Sequence, residues 1–271
     1  MFETVSEVGL RFAVFAGVLA VLALTERWWP RRRLTALTAR RWVTNLSIVV
    51  IDSLVVRAMA SLAVPLAAVA AAAYAGQHGF GLLNAIELPG VAEFLVALVV
   101  LDFAIWVQHV ASHKISPLWR LHQVHHADRD IDVTTAIRFH PVEIALSMLW
   151  KIVCVMALGA GPLTVVAFEI ALNAFAMFSH ANIALPARAD RILRLGIVTP
   201  DMHRVHHSTL RREHDSNFGF NLSVWDKLFG TYLAQPEKGH ENMTIGLEPY
   251  QDSAPSRLGW SLALPFVRRT K

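Results

Sequence analysis

The hexamers LHQVHH at residues 121–126 and MHRVHH at residues 202–207 are nearly identical. In each, the histidines occupy positions i, i+3 and i+4, so a helix would carry all three imidazoles on one face. A Ser-Pro pair at 116–117 and a Thr-Pro pair at 199–200 precede them, as is typical of helix starts. The hexamers therefore predict two short helices that present metal ligands. The predicted ligands are His122, His125, His126, His203, His206 and His207.

A further pair, His109 and His113, lies upstream with the i, i+4 spacing that leaves room for a metal between the rings. Together with the hexamers this makes eight imidazoles. One zinc ion needs about three or four such ligands, so eight favour two metal ions with four or more ligands each. Neutral nitrogen ligands suit iron, zinc or copper.

Composition indicates a membrane environment. Of the 271 residues, 54% are apolar and 17% are charged, with a mean hydropathy of +0.42, outside the usual range of soluble domains. The net charge of +4 is modest and its basic residues lack interleaved aromatic residues, which argues against a nucleic-acid groove. The single cysteine, Cys154, excludes an internal disulfide, an iron–sulfur cluster and a zinc ribbon.

Long apolar runs predict the membrane segments. Acidic residues precede the first run and arginines follow it, the reverse of a signal peptide, so we expect a retained anchor. Pro65 interrupts the second run, for which we favour one kinked span while a hairpin stays open. The predicted segments are the anchor at 8–24, the kinked span at 46–75, a third span at 91–107 and a membrane-inserted hairpin at 144–178.

The hairpin prediction rests on Gly159, Gly161 and Pro162, which break the last apolar run. Such a hairpin returns the chain to the side it left, so the histidines before and after it can meet. A dense basic loop follows the anchor and predicts the cytoplasmic side. Its arginines are Arg27, Arg31, Arg32, Arg33, Arg40 and Arg41.

The expected fold is an all-α integral membrane protein with about three spans plus the hairpin, capped by a cytoplasmic, histidine-rich di-metal helical domain. We expect residues 1–90 to form anchor spans and the basic loop, 91–235 the catalytic domain and 236–271 a C-terminal tail.

The three histidine clusters, HxxxH, HxxHH and HxxHH, resemble those of the fatty acid hydroxylase and sterol desaturase superfamily. The stretch RFHPVE at 138–143 is similar to the family's link after its second cluster. NFG at 217–219 and WDKLFGTY at 225–232 resemble its C-terminal signature. The resemblance implies a cytoplasm-facing di-iron centre that uses O2 to attack a C–H bond of a lipid.

The sequence does not decide whether the reaction ends in hydroxylation or desaturation of the lipid. Nor does it identify the substrate, which is a sterol, fatty acyl, sphingoid, ether lipid or carotenoid. Two alternatives from other classes are a di-zinc membrane hydrolase and a non-catalytic metal-binding or transport protein. The hydrolase is disfavoured because the three clusters contain no carboxylate.

Other residues are candidates for supporting roles. His180 follows the hairpin and is expected to be a ninth ligand, and His140 is a further candidate ligand. Asp102 lies two turns before His109, where it could accept the second ring N–H of that ligand. Glu169 and Asn173 share a helical face with His180. They are candidates to support that ligand or to relay protons. His214 and His240 are expected to be solvated and His78 to lie on the opposite side.

Reducing power must come from outside, since the sequence contains no complete GxGxxG motif and no second cysteine. We therefore expect a separate electron-donor protein of the cytochrome or ferredoxin type. The basic loop from Arg31 to Arg41 is a candidate docking site, although membrane anchoring alone explains its charge. The expected location is the bacterial inner membrane.

Overall fold

A computed structural model describes residues 5–62, 67–86 and 88–267. Within them the chain forms helices joined by loops, four 3-10 turns and three isolated β-bridges, with no sheet. The α-helices are α1 (Val5–Trp28), α2 (Thr38–Leu62), α3 (Ala68–Gln77), α4 (Leu82–Ala85), α5 (Gly90–Lys114), α6 (Ser116–His126), α7 (Pro141–Leu158), α8 (Pro162–His180), α9 (Ala187–Leu193), α10 (Pro200–His206), α11 (Arg211–His214), α12 (Val224–Leu228), α13 (Gly239–Asn242) and α14 (Leu258–Ala263). The all-helical prediction is confirmed.

Five of these helices, α1, α2, α5, α7 and α8, are long and apolar enough to cross a membrane. Many of their apolar side chains are exposed on the protein's own surface, including Phe12, Leu54 and Val153. Exposed apolar surface of this extent is expected where lipid tails are the solvent.

The run at 46–75 is divided differently from the single kinked span we predicted. Helix α2 starts at Thr38 and ends at Leu62, which is already a spanning length. The short helix α3 follows, and its Ala68, Val69 and Ala72 are buried in the core shared with α7 and α8. Pro65 lies outside the described residues.

The hairpin is present and forms two full-length helices, α7 and α8. Gly159 ends α7 in the left-handed conformation, with φ of 73°. A Cβ on Gly159 would lie 2.9 Å from the Phe80 carbonyl oxygen, so only glycine lets the hairpin tip approach that turn. Pro162 opens α8 in its first turn. The prediction of two short helices underestimated their length, because α7 extends back to Pro141.

Helix α5 is longer than a membrane span requires. Its 25 residues extend about 37 Å at 1.5 Å per residue, whereas the hydrocarbon layer is about 30 Å thick. The histidines at its C-terminal end lie against α6 and α10. Segments from the predicted C-terminal tail cover this assembly, since Leu247 and Leu264 pack with Ile48 and Val124.

Candidate metal centre

The first contributions to the site come from the end of α5. His109 and His113 lie one turn apart on a helix that packs against α6. His109 Nδ1 donates a hydrogen bond of 2.7 Å to the Phe218 carbonyl oxygen. A carbonyl only accepts, so this bond fixes the proton on Nδ1 and leaves the Nε2 lone pair free to face the site.

The first hexamer forms the last turns of α6, with Pro117 in the first turn as expected. His122 Nδ1 donates to Glu143 Oε1 at 2.6 Å, so its Nε2 also points inward. Glu143 comes from the start of α7, whose first turn is capped by His140. The sequence had shown Glu143 only as part of a family motif and gave it no role.

The second hexamer forms the short helix α10. Thr199 caps it by accepting a hydrogen bond from the Met202 amide, which agrees with the predicted start. His206 Nδ1 donates to the Ser216 carbonyl oxygen at 2.7 Å. Arg204, which lies between these histidines in the sequence, is fully buried and pairs with Asp201 on the same helix.

The last contribution is His180, at the end of the hairpin. Its Nδ1 donates to the Ala176 carbonyl oxygen at 2.7 Å. Its Nε2 lies 3.1 Å from Nε2 of His125 and 3.1 Å from Nε2 of His203. The hairpin thus brings His180 into contact with both hexamers, as the predicted return of the chain requires.

Nine buried histidines form two neighbouring groups, in each of which the ring nitrogens lie within 4.8 Å of one another. The first group consists of His109, His113, His122, His126 and His206, and the second group consists of His125, His180, His203 and His207. Each hexamer contributes to both groups. These nine are the ligands expected from the sequence, whereas His140 belongs to neither group.

The chemistry of both groups fits a metal. Inward nitrogens such as His109 Nε2, His122 Nε2 and His206 Nε2 are buried and have no hydrogen-bond partner. Nitrogens that share a metal at about 2.1 Å lie about 3.0 to 3.4 Å apart at right-angle or tetrahedral geometry. The two 3.1 Å contacts of His180 Nε2 match that spacing. Buried polar nitrogens without partners are costly, and a metal in each group would satisfy them.

The protonation state of the hexamers also suits metal binding. Burial lowers the pKa of His122 to about 3. Burial, together with repulsion between neighbouring rings, holds the pKa values of five more far below the usual range: His125, His126, His203, His206 and His207. The imidazoles are therefore neutral at pH 7 and present the lone pairs that a metal needs.

A buried ion network, not foreseen from the sequence, supports the first hexamer. Asp128 and Asp132 follow that hexamer and both pair with Arg41 of α2, at 2.6 Å each. Arg41 is fully buried, and its guanidinium holds the pKa of Asp128 down at about 2 against the effect of burial. Arg138 adds bonds to the Val124 carbonyl oxygen and to Asn45. The network ties α2 to the end of α6.

Asp226 supports His109 indirectly. Its carboxylate accepts hydrogen bonds of 2.8 Å from the Phe218 and Gly219 amides and 3.1 Å from Trp106 Nε1. The Phe218 carbonyl is in turn the acceptor for His109. Asp226 therefore fixes the backbone segment that carries the acceptor for His109.

Three predicted supporting residues and one candidate ligand make contacts other than those expected. Asp102 accepts from Trp225 Nε1 at 2.7 Å, because His109 already donates to Phe218. Glu169 pairs with Lys151 and Arg11, so it bridges three spanning helices instead of serving the histidines. The remaining two also bond elsewhere: Asn173 donates to the Glu169 carbonyl oxygen, and His140 caps α7 and contacts the Leu262 carbonyl oxygen.

His214 and His240, expected to be solvated, are both buried. Asp201 lies 3.5 Å from His240 Nε2, and burial lowers the pKa of His240 to about 4. The His214 ring lies 4.8 Å from that of His113 and 4.6 Å from that of His126. Both were missed because their burial depends on loops that fold back over α10. His78 is exposed at the end of α3 and belongs to neither group.

A third cluster, His113, His214 and Asp215, shares His113 with the first group. Asp215 is paired with Lys114 at 2.9 Å and with Arg211 at 3.4 Å, and two cations oppose metal binding there. Asp215 Oδ1 lies 3.6 Å from His113 Nδ1. The cluster is better explained as an ion pair of Asp215 with these cations that lies beside His113.

The basic loop is largely used inside the protein. Arg41 is buried in the ion network, Arg31 pairs with Asp201 and Glu241, and Arg32 bonds the Met243 carbonyl oxygen. Arg33 and Arg40 are exposed. These three arginines therefore have partners within the protein: buried carboxylates for Arg41, two more exposed carboxylates for Arg31 and a backbone carbonyl for Arg32.

Comparison with known proteins gives a family and several relatives. The sequence model of the family described as fatty acid hydroxylase matches residues 94–231, just over half of the chain. The chain is 30% identical over 160 residues to the ornithine lipid hydroxylase OlsE of Rhizobium tropici, an alignment covering 59% of this chain and 47% of that protein. It is 33% identical over 151 residues to the alkylglycerol monooxygenase of Homo sapiens, covering 55% and 33%.

A third relative, the cholesterol 25-hydroxylase of Rattus norvegicus, is 26% identical over 165 residues, covering 60% of this chain and 53% of that protein. The alignments thus span about half or less of the length of these curated relatives. No solved structure matches the chain.

Proposed function

Because this chain belongs to the fatty acid hydroxylase family, we propose that it is a membrane-bound di-iron oxygenase that uses O2 and external electrons to hydroxylate a C–H bond of a lipid. The observation that carries the proposal is the pair of adjacent, buried histidine groups whose inward nitrogens have no other partner. The names of the three relatives, two hydroxylases and a monooxygenase, favour hydroxylation over desaturation.

We propose the nine grouped histidines as the iron ligands, five in the first group and four in the second. Two bound irons would supply the activation of O2 and the oxidising power needed for an unactivated C–H bond. Neither group contains a carboxylate, whereas hydrolytic di-zinc sites favour mixed ligands. No described residue therefore favours the hydrolase alternative.

The protein's own contribution is to orient the ligands and exclude water. Glu143 and the carbonyls of Phe218, Ala176 and Ser216 fix the outer ring nitrogens. Phe139 stacks on His125, with ring centres 4.5 Å apart. These contacts hold the imidazoles in place and keep the site dry.

The apolar helices supply the route for the lipid. Phe220 contacts His109, with ring centres 5.0 Å apart, and also packs against the apolar cores of α5, α7 and α8. It is thus the side chain that joins the histidines to the apolar interior. We propose that the substrate's chain approaches along this surface.

We also propose that the histidine assembly faces the cytoplasm and that the membrane is the bacterial inner membrane. The loop at residues 29–37 contacts the assembly through Arg31 and Asp201, and its arginines fit the side where positive charge accumulates. Electrons would come from a cytochrome- or ferredoxin-type protein on that side.

The test combines metal analysis with isotope labelling. Detergent-purified protein is expected to hold about two irons per chain, one for each histidine group. His125→Ala, which leaves three nitrogens in the second group, should lose about one of these irons and its share of the Mössbauer signal. Expressing cells grown under ¹⁸O₂ should accumulate a lipid carrying one labelled oxygen. Stoichiometric zinc that persists after anaerobic iron loading, with no labelled lipid, would refute the oxygenase and support the hydrolase.

A further inference from the structure

One face of the histidine assembly connects the first group to the protein surface through aromatic rings. The Trp119 ring lies 4.7 Å from that of His214, 5.2 Å from that of His113 and 5.6 Å from that of His126. Trp119 is partly exposed, and His214 is 8% exposed. A continuous ring contact therefore runs from the surface to two proposed ligands of the first iron.

Positive charge surrounds this contact. The side chains of Arg211, Arg212 and Lys114 are 83%, 73% and 50% exposed. Arg120, next to Trp119 in sequence, bonds a backbone carbonyl, so its charge is not neutralised. The carboxylates of this region are Asp215, Glu237 and the buried Glu213 of α11, so its four cations outnumber its carboxylates by one. Because exposed ion pairs are weak, these cations can exchange their present partners for the carboxylates of a docking protein.

Two other sides of the histidine assembly are covered by the protein. The C-terminal segment packs over α6 through Leu247 and Leu264. On the side of the second group, Glu26 of α1 accepts hydrogen bonds from the Val133 and Asn182 amides. Below lie the spanning helices. The face around Trp119 and His214 combines a partly exposed ring that contacts the histidines with exposed cations.

We propose that this face, defined by Lys114, Trp119, Arg211, Arg212 and His214, docks a separate acidic one-electron carrier protein and passes its electron to the first histidine group. The inference rests on the proposed function. At each encounter the carrier is oxidised by one electron and the histidine-bound centre is reduced by one. Two encounters, with two protons, balance the insertion of one oxygen atom into the lipid and the release of the other as water.

The test measures binding of an acidic [2Fe–2S] ferredoxin to the full chain in lipid nanodiscs. Charge reversal in Arg211→Glu/Arg212→Glu should raise the Kd about tenfold at low ionic strength, and the difference should shrink as salt screens the charges. The matched control is Arg33→Glu/Arg40→Glu, which makes the same charge change on the exposed part of the basic loop and should leave the Kd within about twofold.

A second variant separates docking from electron transfer. Trp119→Leu should keep the Kd of the ferredoxin and slow the oxidation of reduced ferredoxin in stopped-flow measurements, with the metal content checked on the same sample. The inference is overturned if the wild-type chain does not bind the ferredoxin, if the Arg211/Arg212 reversal leaves the Kd unchanged, or if the loop control weakens binding equally.

A small-molecule reductant distinguishes failure of this inference from failure of the proposed function. If the wild-type chain with chemical reductant and O2 forms hydroxylated lipid while the charge reversal has no effect on binding, only the docking face is wrong. If chemical reduction yields no O2-dependent product, the proposed function itself fails.

Discussion

The two hexamers share one spacing but divide their histidines between the groups in opposite ways. The first hexamer gives its outer two histidines to the first group and its middle one, His125, to the second. The second hexamer gives its middle one, His206, to the first group and its outer two to the second. The i, i+3, i+4 spacing therefore makes each helix a bridge between the two groups, and not the carrier of one.

The imbalance between the groups comes from outside the hexamers. Together the two hexamers supply three histidines to each group. Helix α5 adds His109 and His113 to the first group, and the hairpin adds His180 to the second. The supports differ as well. A carboxylate holds His122, whereas a backbone carbonyl holds His206. The two hexamers thus have the same spacing but different added ligands and different hydrogen-bond acceptors. Variants of matched histidines can measure what this difference does to metal binding and stability.

The largest expected effect is the loss of one metal. His207→Ala leaves three nitrogens in the second group, whereas the matched His126→Ala leaves four in the first. We expect the iron content of the His207→Ala variant to fall from about two per chain to about one. The His126→Ala variant should retain most of both irons, because about four ligands suffice to hold a metal. Iron content after mild chelation, measured on both variants, tests this. Equal losses would show that the groups do not bind independently.

The next effect is on pH dependence. The hexamer histidines have pKa values lowered by burial, so below about pH 6.5 the unfolded chain binds protons that the folded chain does not. Their stabilising contribution is complete above that pH and is lost as the pH falls, by about 1.4 kcal/mol per unit for each histidine. The Tm of chelator-treated protein should decline from about pH 7 to 5.

The same titration compares the two hexamers. His125→Asn and His206→Asn remove the middle histidine of each, and both should flatten the decline of Tm by a similar amount. A decline flattened in only one variant would show that one hexamer is more hydrated than the other.

A smaller effect concerns the two arginines that tie the basic loop to the hexamers. Arg41→Met leaves Asp128 and Asp132 unpaired and buried, which costs about 3 to 5 kcal/mol. Arg31→Met breaks the partly exposed pair with Asp201 and should cost less than about 1 kcal/mol. Thermal unfolding in the same detergent measures both. Equal costs would contradict the buried network.

The features that could be predicted from the sequence are those that follow from local periodicity and turn residues. Helical spacing identified the hexamers and the His109 pair, and the break at Gly159 identified the hairpin that brings His180 to them. These features depend on residues within a few turns of each other, where period and turn chemistry act directly.

What the sequence could not predict depends on contacts between distant segments. Asp102 lies on the expected face of α5, but its carboxylate accepts a hydrogen bond from Trp225, which is 123 residues away in the sequence. His214 is buried by packing that no spacing encodes. The pairing of Arg41 with Asp128 had one available signal, the acidic stretch at 128–132 opposite a basic loop. Charge complementarity of that kind suggests a partner but does not identify which arginine is buried.

The smallest expected effect tests whether the carboxylate support of the first hexamer matters. Glu143→Gln keeps the shape of the side chain but replaces the ionisable acceptor for His122 by an amide, so the ring is less firmly oriented and less basic. We expect iron affinity to fall about 10-fold to 100-fold with the fold retained. Glu169→Gln is the matched control, since its ion pairs lie away from the histidines, and its iron affinity should equal that of the wild type. An unchanged affinity in Glu143→Gln would mean that helix packing alone holds His122. The two hexamers would then be equivalent in support as well as in spacing.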